Sequence, residues 1–108
     1  MSDDLDWHVI FAGSGSVTGN DWLEEVCYVG KEQWLLRVRN DPAWSLDPAE
    51  EEPEHEEKSS AELVEWVRSI DTAGMEATLE RRRNLHDVAV AVGARQCAAM
   101  LQVVLAQS

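Results

Sequence analysis

"EVCYVGKEQWLLRVR", Glu25 to Arg39, is the stretch on which the fold turns. Two apolar runs flank Gly30-Lys31, and a two-residue loop with glycine first suits a type II′ hairpin turn. That turn sets Cys27 opposite Trp34, Glu25 opposite Leu36 and Leu23 opposite Val38, so one face collects Leu23, Cys27, Val29, Trp34, Leu36 and Val38. The other face pairs Tyr28 with Gln33, Val26 with Leu35, Glu24 with Arg37 and Trp22 with Arg39. Opposite charges and a cation–π contact are then cross-strand neighbours. A second reading exists: Asp21 and Glu24 resemble a capping box, and Leu23, Val26, Cys27 and Gly30 recur at helical spacing. A helix there would give a small βαβ unit. The hairpin accounts for more residues and is adopted.

Toward the N-terminus, "DWHVIFA", Asp6 to Ala12, reads as a further strand, with Trp7, Val9 and Phe11 on one face and His8 and Ile10 on the other. Between it and the hairpin lie Gly13, Gly15 and Gly19, a G-x-G-x-x-x-G run one residue off the dinucleotide fingerprint. No lysine follows, which excludes a P-loop, and a flexible connection is expected. A small nucleotide-binding domain or enzyme using the Gly13–Gly19 loop is the alternative.

Toward the C-terminus, Asn40-Asp41-Pro42 ends the sheet, because proline lacks a ladder donor. Prolines and consecutive acids predict a flexible acidic loop over 41–58. Ser59 with Glu62 is a capping box opening a helix, whose stripe is Leu63, Trp66, Val67 and Ile70. A second, long helix runs from Met75 toward Ala106, and Gly93 kinks or breaks it; Asp87–Gly93 as an edge strand is the alternative. The expected fold class is α+β: a three-stranded antiparallel sheet, an acidic loop and two C-terminal helices, the second long. All 108 residues form a single domain, divided into a β-meander over 1–40, the loop over 41–58 and a helical part over 59–108. From Val88 onward the long helix is apolar nearly all round and must be enclosed, so a homodimer seam carrying Val90, Cys97 and Leu101 is expected.

The net charge is −12, and it is unevenly spread. Residues 1–46 carry eight acids against three bases, residues 47–57 carry seven acids and no base, and residues 58–108 carry six of each. Such a field repels nucleic acid and anionic membranes and favours a basic partner. Asp21, Glu24, Glu25 and Glu32 are expected to present a rigid acidic pattern. Glu50, Glu51, Glu52, Glu54, Glu56 and Glu57 would form a mobile acidic arm, with Trp44 beside it as an interface anchor. The basic cluster Arg81 to Arg83 is expected either to face solvent or to receive the acidic arm.

No Ser, Cys or carboxylate pair stands in a recognisable catalytic arrangement, and His8, His55 and His86 have no ligand spacing. No cofactor or metal is expected. Cys27 and Cys97 lack motif spacing and read as free thiols. The acidic N-terminus lacks the layout of a secretion signal, and no apolar run is long enough to span a membrane, so a cytoplasmic location is expected. Together these features favour a non-enzymatic acidic binding protein of the inhibitor, immunity or adaptor type. It would occlude a basic surface on a partner, one suited to nucleic acid. A dimeric structural module is the remaining alternative.

Overall fold

The structure is a computed structural model that describes residues 6–14, 21–40, 55–71 and 74–107. Its elements are β1 (His8–Ser14), β2 (Asp21–Gly30), β3 (Gln33–Asn40), β4 (Glu56–Ser59), α1 (Ser60–Ser69), α2 (Met75–Val92) and α3 (Arg95–Ala106). The α+β class holds. Among the described residues, however, the antiparallel sheet has four strands in the order β1-β2-β3-β4, and three helices follow it. The extra strand is the end of the expected acidic loop, where Glu56 to Ser59 pair with Leu36 to Gln33. No described helix is long and apolar enough to cross a membrane.

Residues 21–30 are strand, so the βαβ alternative falls. The hairpin register nevertheless differs by one residue from the sequence expectation. Lys31 and Glu32 form the turn with φ of 55° and 58°, and Gly30 pairs with Gln33. Positive φ at both central positions is the signature of a type I′ turn, which suits the twist of a hairpin. A bulge at Val29 then sets Tyr28 opposite Trp34, Val26 opposite Leu36, Glu25 opposite Arg37 and Glu24 opposite Val38. A one-residue slip exchanges the faces of a strand. Val26 joins Trp34 and Leu36 in the core, and the expected Glu24–Arg37 and Trp22–Arg39 pairs are not formed.

β1 carries a second irregularity, between Val9 and Phe11. The bulge buries the consecutive residues Ile10 and Phe11 and leaves Val9 exposed, which breaks the expected alternation. Asn84 Nδ2 donates to the Ile10 carbonyl at 2.8 Å and ties α2 to this strand.

The capping box at α1 is present in both directions, Glu62 N–H to Ser59 Oγ and Ser59 N–H to Glu62 Oε1. Gly93, at φ 82°, closes α2 in the left-handed conformation that glycine adopts without strain. The expected long helix is therefore two helices, and Asp87 to Val92 are helical rather than an edge strand. The break lets α3 fold back between α1 and α2, where Cys97, Leu101 and Val104 enter the core beside Leu63, Val67 and Leu85. Cys97 and Leu101 are 0% exposed, so neither can line a dimer seam; of the three expected interface residues only Val90 is exposed.

Candidate functional site

The carboxylates expected to face a partner fall into three sets. Glu24 is buried and accepts two hydrogen bonds from Arg81, Nε to Oε1 at 2.6 Å and Nη2 to Oε2 at 2.8 Å. Trp22 Nε1 donates to Glu24 Oε2 at 2.9 Å, and the Arg81 guanidinium lies 4.4 Å from the centroid of the Phe11 ring. The indole of Trp22 also covers Gly13, where a Cβ would lie 2.1 Å from the ring. Glu25 is buried on the opposite face, where Arg37 Nε donates to it at 2.7 Å beneath the ring of Trp7. Glu24 ties α2 to the sheet and Glu25 ties β3 to β2, so both are corrected from partner-facing to internal.

Glu32 is structural as well. Its Oε1 accepts from Ser60 Oγ at 2.6 Å and from the Cys97 N–H at 3.3 Å, while Oε2 accepts from the Gln96 N–H at 3.3 Å. α3 has no capping side chain or acid of its own in its first turn, and the hairpin supplies one. A carboxylate at a helix N-terminus satisfies orphan amides and complements the helix dipole. The bond from Ser60 and the two amides hold the Glu32 carboxyl below its ordinary range. Ser60 Oγ in turn accepts from Trp34 Nε1 at 2.9 Å.

The third set is exposed. Glu56 and Glu57 on β4 face solvent, and so do Glu62 and Glu65 on α1 directly after it. Glu56 lies 3.4 Å from Lys58 and Glu65 bonds Arg68 at 2.8 Å. These four acids give the strand–helix corner an acidic margin; the acids at 47–54 that precede it in sequence lie outside the described residues. Glu62 and Glu65 are not among the acids expected from the sequence to meet a partner, where Glu62 figures only as a capping residue. Their positions off the Leu63/Val67 stripe were the available signal. Asp21 lies at the start of β2, while Trp44, Glu50, Glu51, Glu52 and Glu54 lie outside the described residues.

The basic cluster is largely occupied. Arg81 is committed to Glu24, Arg82 donates to the carbonyls of Val67 and Arg68, and Arg83 is exposed; the acids at 50–54 that were expected to meet this cluster lie outside the described residues. Both thiols are buried: burial pushes Cys97 up to about 12 and raises Cys27, which keeps them protonated at neutral pH. Among the described residues no group of three or more His, Cys, Asp or Glu side chains is placed to hold a metal ion. Gly15 and Gly19 lie outside the described residues, and the chain from Asp21 onward is strand, not the helix whose N-terminus would receive a phosphate in a dinucleotide-type loop.

Compared with known proteins, the chain matches no family, no curated protein and no solved structure.

Proposed function

We propose that the chain is a non-enzymatic acidic binding protein, of the inhibitor, immunity or adaptor type, that covers a basic surface on a partner protein. The supporting observation is the division of its charges. Arg37 and Arg81 are consumed by buried partners, whereas Glu56, Glu57, Glu62 and Glu65 stand exposed along one margin, which five further acids in residues 47–54 precede in sequence. A margin of this sign attracts a basic surface of the kind that holds nucleic acid and speeds encounter with it. The acids on β4 and α1 sit on hydrogen-bonded backbone and offer the fixed spacing earlier expected of Asp21, Glu24, Glu25 and Glu32.

The test is a pull-down from native extract, eluted with a salt gradient, with the parent and a Glu56→Gln/Glu57→Gln/Glu65→Gln variant side by side. The reading expects a basic protein that leaves the parent only at higher salt than the variant. Identical elution of both, or no basic protein retained by either, overturns it.

A further inference from the structure

We infer that a second copy of this chain docks on the outer face of α3, with the two α3 helices antiparallel. Three observations on different residues converge on that occupant. The first is exposed apolar surface: Val103 of α3 and Val90 of α2 are 57% and 60% exposed, with Ala99 and Ala106 exposed on the same helix layer. A groove runs along each side of α3, one lined by Val64 and Met100 with the Glu65–Arg68 pair at its α1 edge, the other by Gly93, Ala98 and Arg95 and free of acids. Small side chains on the ridge between them let another helix approach closely.

The second is charge. Copies of a chain at −12 repel each other wherever acids meet, and Gln96 to Ser108 contains no charged residue at all. The basic partner proposed above would seek the acidic margin, whereas a copy of this chain is excluded from it and admitted here.

The third is the helix dipole. Arg95 stands exposed in the first turn of α3, where Glu32 caps the amides of Gln96 and Cys97, and the last turn of α3 has no basic residue. Antiparallel docking carries Arg95 of each copy over the carbonyl end of the other α3 and supplies the cation that end lacks. Docking on the α2 side of α3 leaves the margin of β4 and α1 displayed twice, and the inference does not depend on the identity or existence of the basic partner.

Sedimentation equilibrium over micromolar to sub-millimolar concentration, at low and high salt, tests it. The parent is expected to show a twofold mass and to associate more tightly as salt screens the repulsion, opposite to the salt response of a basic partner. Ala99→Glu and Val103→Glu should each yield monomer with unchanged circular dichroism, since both positions are exposed. Arg95→Glu should weaken self-association about tenfold or more, and Arg95→Lys should retain it. A monomeric parent at every concentration and salt overturns the inference. So does a dimer that survives both glutamate variants.

Discussion

Arg81 Nε and Nη2 close on the two oxygens of Glu24, a bidentate pair spanning fifty-seven residues with both side chains almost fully enclosed. It joins α2 to the middle of β2 and explains why an acid can occupy the core face of the sheet. Removing one partner of such a pair leaves an uncompensated buried charge, which costs about 3–5 kcal/mol. Glu24→Leu and Arg81→Met are each expected to lose stability on that scale in urea unfolding. The double variant should lose much less than the sum, because apolar replacement of both ends removes the charges together. Strict additivity would show that the two groups act independently.

The contact of Glu32 with the amides of Gln96 and Cys97 makes an acid limb in the stability profile. Its pKa is lowered in the folded chain, so the contribution is fully present above the ordinary carboxylate value and is lost as pH falls through the folded value. Glu32→Gln should flatten that limb in thermal melts taken at successively lower pH. Loss of a capping oxygen costs about 1 kcal/mol, so Glu32→Ala should lower neutral-pH stability on that scale.

Gly13 has no space for a side chain, because the Trp22 indole lies on it. Gly13→Ala is therefore expected to displace Trp22 and cost about 1–3 kcal/mol by overpacking. A change in tryptophan fluorescence should accompany the loss. An unaltered melting point would mean that the indole is free to swing aside.

Cys27 and Cys97 are buried, and Cys97 is held protonated with its value at about 12. A disulfide exchange reagent should therefore react with the native protein no faster than the protein opens, and with both thiols at once in denaturant. Rapid stoichiometric labelling of native protein would contradict the burial.

Alternation and punctuation made much of the fold legible. The strands at Asp6–Ala12 and Glu25–Arg39, the capping box at Ser59 and Glu62, and the interruption at Gly93 were all readable, because each is enforced by neighbours within a few residues. The register was not. Gly30-Lys31 and Lys31-Glu32 are both plausible turns by local chemistry, and the choice rests on contacts from afar. Tyr28 Oη accepts from the Glu32 N–H, the Ser60 N–H donates to the Glu32 carbonyl, and Arg81 rewards the register that turns Glu24 inward.

The same distinction governs the acids. Composition and periodicity determined that this chain is strongly acidic and mixed in secondary structure, since those follow from residue counts and short-range pattern. Which acids face outward was decided only by tertiary structure. Glu24, Glu25 and Glu32 look the same in sequence as Glu56 and Glu57, yet an arginine draws the first two inside and the N-terminus of α3 engages the third. A carboxylate is buried only where a distant donor meets it, and no local pattern encodes that donor.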